Sequence, residues 1–369
     1  MSKDLEELYR QAVLLRQNNK LDKAVAVFTK LVSLEKDPRR KATAYNGRGG
    51  TYVLKEDYDR AIADCDKALD LNPHDADAYG MRALGYRYKG DYDQAITDFD
   101  KAIELNPTHA AAYRDRGLAY GTKRDYDRAI TDYNKALDLN PHDAAAYVVR
   151  GLAYQSKRDH DRAIADCDKA LDLNPHDAAA YCVRGLAYVF KGDYDRAIAD
   201  YGKAVKLNPQ DAAAYANRGL AHFSKGAYGR AIADYGKAVK LNPHDAAAYR
   251  NRGLAYSAKE DYDRAIADCD KAIELDPQDA ATYSARGLAY FSKRAYKRAI
   301  ADYDKAIKLN PHDAAAYANR GAAYGMIKKY DLALDNYSRA GSLDNRLKSN
   351  NALVYIASSL KGIASGRGK

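Results

Sequence analysis

The sequence predicts an all-α fold: a right-handed superhelical solenoid of about ten 34-residue helix-turn-helix repeats with a C-terminal capping helix. The period is countable, because eight prolines from Pro73 to Pro311 stand 34 residues apart without a slip. In the unit Ala178–Asp211, Tyr181, Gly185 and Tyr188 recur at three- and four-residue steps, and so do Ala197, Tyr201 and Ala204. Each set shares one helix face. Between them sit Lys191, Gly192 and Asp193, where glycine permits a left-handed helix end and aspartate caps the next helix. Asn208 and Pro209 close the second helix, since proline offers no amide and disfavours helical geometry before it. Asp211 is placed to cap the next repeat.

On Tyr181, Arg184, Gly185 and Tyr188, followed by Ala197, Tyr201, Ala204 and Pro209, the unit closely resembles the tetratricopeptide repeat (TPR) family, and the resemblance covers roughly residues 5–347. Two departures stand out: tyrosine replaces tryptophan at position 4 of the unit, and arginine occupies the usually apolar position 7. The resemblance implies a non-catalytic scaffold for protein–protein interaction, holding a peptide or helix of a partner protein in a concave groove. The family's clamp for acidic chaperone tails uses lysine and asparagine where this chain has Val, Ala and Leu, which argues against Hsp70 or Hsp90 tails.

Taken in order, residues 1–41 form a degenerate first repeat, in which Leu8, Ala12, Leu15, Ala24, Phe28 and Leu31 hold the packing positions, and a basic junction, Arg39-Arg40-Lys41. An end repeat has one face without a neighbour and is expected to be atypical. Nine repeats then begin at 42, 76, 110, 144, 178, 212, 246, 280 and 314 and run to 347. Gly49 and Gly50 side by side on a helix mark the N-terminal junction as the place to fray. In residues 348–369, Leu353, Ile356 and Leu360 fall at helical spacing and predict the capping helix, followed by a small, basic, disordered tail.

Composition narrows the function. The chain is 47% hydrophobic and 30% charged, which fits a folded chain rather than a disordered one. No apolar run is long enough to cross a membrane, and acidic residues stand where a signal peptide needs apolar ones, so a cytoplasmic location is expected. The net charge of +9 invites a nucleic-acid reading, but it gathers at the two ends: residues 1–41 carry ten basic and six acidic side chains, and residues 344–369 carry five and one. The array between them is close to neutral, which argues against a phosphate-binding groove. An RNA-binding helical solenoid remains the competing reading, and a self-associating scaffold the third.

Recurring residues are assigned to structure. Thirty of the 33 tyrosines fall at positions 4, 11, 17 and 24, as core rather than base-stacking platforms. Cys65, Cys167 and Cys269 replace the aromatic residue at position 24 and read as small buried hydrophobes. Arginine at position 7, from Arg48 to Arg320, and aspartate at position 23, from Asp64 to Asp302, suggest an internal ladder between first and second helices. The His-Asp pairs recur once per repeat in turns, too far apart for one metal ion. No cofactor, metal or catalytic constellation is expected.

Recognition is left to positions that differ between repeats. The candidate peptide-binding groove, around residues 114–291, comprises Arg114, Asp115, Val148, Val149, Cys182, Val183, Val189, Phe190, Asn217, Phe223, Arg250, Asn251 and Phe291. Leucines at position 9 (Leu118, Leu152, Leu186, Leu220, Leu254) add apolar surface, giving an apolar centre flanked by polar residues.

Overall fold

The computed structural model describes residues 3–344, so the expected capping helix at 348–369 lies outside the described residues. Every regular element among the described residues is an α-helix. They run in order as α1 (Lys3–Gln17), α2 (Leu21–Leu34), α3 (Pro38–Leu54), α4 (Tyr58–Leu71), α5 (Ala76–Lys89), α6 (Tyr92–Leu105), α7 (Ala110–Thr122), α8 (Tyr126–Leu139), α9 (Ala144–Ser156) and α10 (His160–Leu173). The series continues with α11 (Ala178–Phe190), α12 (Tyr194–Leu207), α13 (Ala212–Ser224), α14 (Tyr228–Leu241), α15 (Ala246–Ala258), α16 (Tyr262–Leu275), α17 (Ala280–Ser292), α18 (Tyr296–Leu309), α19 (Ala314–Met326) and α20 (Tyr330–Leu343). Two compact units divide between Ala187 and Tyr188, inside α11. Within each unit, helices joined by short turns pack as hairpins, and each hairpin packs on the next, as a helical repeat solenoid does.

Glycine sets how closely the two helices of a hairpin approach. A Cβ on Gly117 of α7 would lie 2.6 Å from Tyr133 Cε1 on α8, and one on Gly287 of α17 would lie 2.8 Å from Tyr303 Cε1 on α18. Tyr201, Tyr235 and Tyr303 are consequently the largest fully buried side chains, with alanines one turn either side also buried. Cys65, Cys167 and Cys269 take the same place and are buried as expected. Burial pushes the Cys269 thiol up to about 12, which makes it an inert packing group rather than a nucleophile.

The turn inside each hairpin follows the expected left-handed form, with Gly192 at φ +76° and the Asp193 amide donating to the Tyr188 carbonyl at 2.9 Å. The conformation does not depend on glycine. Arg124, Arg158, Glu260, Arg294 and Lys328 hold φ +62° at equivalent places, because the same pair of amide-to-carbonyl bonds closes the turn there. Asp193 then caps α12 by accepting from the Arg196 amide at 3.1 Å, and Asp211 caps α13 through Ala214 at 3.0 Å. The basic junction is helical rather than an interruption. Asp37 caps α3 and Pro38 opens it, so Arg39, Arg40 and Lys41 add a turn to that helix.

Candidate functional site: first-helix faces and an arginine ladder

The arginines at position 7 form the expected rungs. Arg116 Nε and Nη2 donate to the Asp132 carboxylate at 2.8 and 2.6 Å, and Arg150, Arg218, Arg252 and Arg286 repeat the fork on Asp166, Asp234, Asp268 and Asp302. Each guanidinium also lies 5.4–5.7 Å from the centre of its repeat's tyrosine ring, as Arg116 does over Tyr113 and Arg286 over Tyr283 at the far limit. Burial works against the charge of Arg116, but the Asp132 and Asp100 carboxylates outweigh it and raise its pKa, and at Arg286 the Asp302 bond leads and burial again opposes.

A second carboxylate was not anticipated from the sequence. The remaining Nη1 reaches back to position 25 of the preceding repeat: Arg82 to Asp66 at 2.7 Å, Arg116 to Asp100 at 2.6 Å, and Arg286 to Asp270 at 2.6 Å. The ladder therefore ties repeat to repeat as well as helix to helix. The signal was present as an aspartate sixteen residues before Arg82, Arg116, Arg184, Arg286 and Arg320.

The expected groove residues divide by burial. Val148 is buried against Ala170, Leu171 and Ala180, with Val183 packed on the same cluster, so the structure corrects its assignment as a partner contact: position 5 of α9 faces the neighbouring hairpin. Val149 packs on Tyr133 and Ala153. Asp115 is likewise buried, and loss of hydration raises its pKa although Arg114 and Arg87 pull the other way. Arg114 and Arg250 are tied down through Nη1 to the cap residues Asp143 and Asp279, at 2.8 and 2.6 Å. Cys182, Val189, Asn217 and Asn251 are half-buried. Phe223 leans on Tyr228 and Phe291 on Tyr296, with ring centres 5.3 and 5.5 Å apart. Phe190 is the outlier, 64% exposed.

The first unit also holds a cavity that the sequence did not indicate, of about 790 Å³. Tyr9 and Arg16 of α1, Asn46 and Gly47 of α3, Gly80, Met81 and Leu84 of α5, and Arg114 and Asp115 of α7 line it. Small residues make the room, since a Cβ on Gly80 would meet nothing within 4 Å. The Asn46 side-chain oxygen is buried there without a donor, an acceptor that a bound backbone amide would satisfy. Among the described residues, no group of His, Cys, Asp and Glu is arranged to hold a metal ion. No helix among them is long and apolar enough to cross a membrane.

Family comparison settles the class. A TPR repeat model matches residues 83–123, 185–226, 219–260 and 287–328, and tetratricopeptide repeat models match 8–37, 42–75, 114–178 and 246–279. The chain belongs to the tetratricopeptide repeat family. Its coarse functional class is accordingly that of a protein-interaction scaffold, in a family generally without catalysis. This TPR chain is similar in fold to the crystal structure of the APC/C hetero-tetramer Cut9–Hcn1, at 17% identity and TM-score 0.57, covering 95% of this chain and 83% of that one. It is also similar to a tetratricopeptide repeat protein from Parabacteroides merdae, at 23% identity and TM-score 0.53, covering 67% and 98% of the two chains. Pseudomonas aeruginosa pilF gives 21% identity and TM-score 0.51, covering 60% and 96%. No curated protein matches the sequence.

Proposed function

We propose that this TPR protein is a non-catalytic scaffold that binds a peptide segment of a partner protein on its first-helix faces, with the cavity of the first unit as the principal seat. The observation that carries the reading is that cavity. Four successive first helices open onto it, glycine and apolar side chains such as Gly80, Met81 and Leu84 alternate there with polar ones such as Arg16, Asp77 and Arg114, and the buried Asn46 acceptor has no donor among the described residues. Concave, largely preformed sites with a few placed polar groups are where peptides and ligands bind. In the second unit, Phe190, Asn217, Phe223, Asn251 and Phe291 supply the corresponding apolar and amide surface on first helices.

The test is partner capture from a native extract by the full chain and two variants. Gly80→Phe fills the cavity from a helical site with open space around it, and Phe190→Ser removes the exposed aromatic ring of α11. Capture lost in Gly80→Phe, with the far-UV circular dichroism of the parent, is the expected result. Undiminished capture by both variants refutes the site.

A further inference from the structure

Two rungs of the ladder, both in the second unit, lack an acceptor from the preceding repeat. Arg218 and Arg252 keep their forks on Asp234 and Asp268. The carboxylate that receives Nη1 elsewhere is gone, because Gly202 and Gly236 occupy the position held by Asp66, Asp100, Asp168, Asp270 and Asp304 on other second helices. Nothing replaces it among the described residues. A Cβ on Gly236 would stand 3.8 Å from Arg252 Nη1, and one on Gly202 would meet nothing within 4 Å. Each guanidinium is thus locked in orientation by its fork, with one N–H aimed at vacant space. That space is reachable: where the aspartate is present, it is about half exposed, 54% for Asp100 and 52% for Asp270.

The surroundings change in step. One turn beyond each glycine stands a lysine, Lys206 and Lys240, as Lys308 does beyond Asp304, where Asp70, Glu104, Asp138, Asp172 and Glu274 stand in other repeats. Lys203 and Lys237 lie beside them, and Lys237 reaches the Tyr215 ring that also carries Arg218. A third acceptor is missing on α14. Lys89, Lys225 and Lys293 each pair with an aspartate thirty residues earlier, but Lys259 finds Gly229 at that place. α12 and α14 have therefore lost carboxylates and gained cations on one surface.

We propose that Arg218 and Arg252 form a two-rung receptor for an acidic peptide, whose carboxylates enter the places left by Gly202 and Gly236. The vacancy has the form of an aspartate side chain, since that is what fills it on the other rungs at 2.5–2.7 Å. α13 and α15 pack on each other, which sets the rungs about 8–10 Å apart, and a polyproline II chain, with three residues per turn and a rise of about 3.1 Å per residue, carries residues i and i+3 on one face at about that spacing. The fitting motif is an acidic residue, two of any kind, and a second acidic residue. This surface lies where second helices α12 and α14 meet first helices α13 and α15, and shares no residue with the cavity proposed above.

The experiment uses the full chain and a fluorescein-labelled peptide of four Asp-Ala-Ala units, with Asn-Ala-Ala as control, followed by fluorescence anisotropy. Refilling the rungs with Gly202→Asp and Gly236→Asp together is expected to weaken Asp-Ala-Ala binding by about tenfold or more. The double variant Ala199→Asp and Ala233→Asp adds the same charge at exposed sites one turn earlier on the same helices, and is expected to stay within about threefold of the parent. Absence of peptide binding, equal losses in the two double variants, or an oligouridine RNA that binds more tightly and displaces the peptide each overturns the proposal.

Discussion

At the scale of single residues, a glycine in this chain has one of two meanings. Gly117 is a contact: a side chain there would drive into the Tyr133 ring and stand 3.2 Å from the Ala129 carbonyl, which is backbone and cannot step aside. Gly202 is an absence: in the middle of α12, a Cβ there would meet nothing within 4 Å. Gly117→Ala should therefore cost about 1–3 kcal/mol, whereas Gly202→Ala should stabilise by about 1 kcal/mol. Urea midpoints at unchanged m-value check both, and equal effects at the two sites would refute the distinction. Gly49 leans to the first kind, since a Cβ would meet Cys65 Sγ at 3.0 Å and the Ala61 carbonyl at 3.2 Å, while one on Gly50 would meet the flexible ends of Arg16 and Met81 at 3.2 Å. Both glycines are buried in α3, which the sequence alone read as a weak joint.

At the scale of elements, the second helices α4, α8, α10, α12 and α16 share one starting device, and α14 is among those that lack it, as are α2, α6, α18 and α20. Asp125, Asp159, Asp193 and Asp261 each accept the amide three residues on and the guanidinium of the same arginine, which stacks over a tyrosine at 4.4–4.6 Å. α14 begins at Ala227 with no side-chain cap, although Arg230 stands ready. Ala227→Asp should raise stability by about 0.5–2 kcal/mol at neutral pH. The existing cap aspartates have their pKa lowered, by the arginine side-chain bond first for Asp261 and by the backbone amide first for Asp125 and Asp193. An acid with a lowered folded pKa stabilises fully above its unfolded value near 3.8, and loses that contribution as pH falls through the folded value. The gain from Ala227→Asp should accordingly be complete at pH 6 and shrink below about pH 3.8, seen as converging melting temperatures for parent and variant. A gain that persists at pH 2 would show that the carboxylate is not its source.

At the scale of the whole molecule, the repeat made the fold legible and hid part of the site. Helix positions, turns, caps and the Arg–Asp fork each recur at a fixed offset, so nine copies of the sentence average away local ambiguity. Val148 had no such help. Position 5 lies at the margin of the first-helix stripe, where a rotation of one residue, about 100°, decides between neighbour and solvent. The first-unit cavity was hidden for a different reason: it is lined by small residues such as Gly80 and Ala111, on helices that only the fold brings together. A stack held by nearest-neighbour contacts also makes a prediction that no single core would. Interior hairpins such as α7–α8 and α15–α16 are held from both sides, through ladder bonds such as Arg116–Asp100 and Arg286–Asp270, whereas α1–α2 has a neighbour on one side. Native-state hydrogen exchange should then show opening free energies that rise from α1–α2 toward α7–α8 rather than one shared global value. Removing a rung with Asp100→Gly should lower protection most in α5 to α8 and leave α17 and α18 unchanged. Uniform loss of protection along the chain would mean that the array unfolds as one cooperative body, and the nearest-neighbour description would fail.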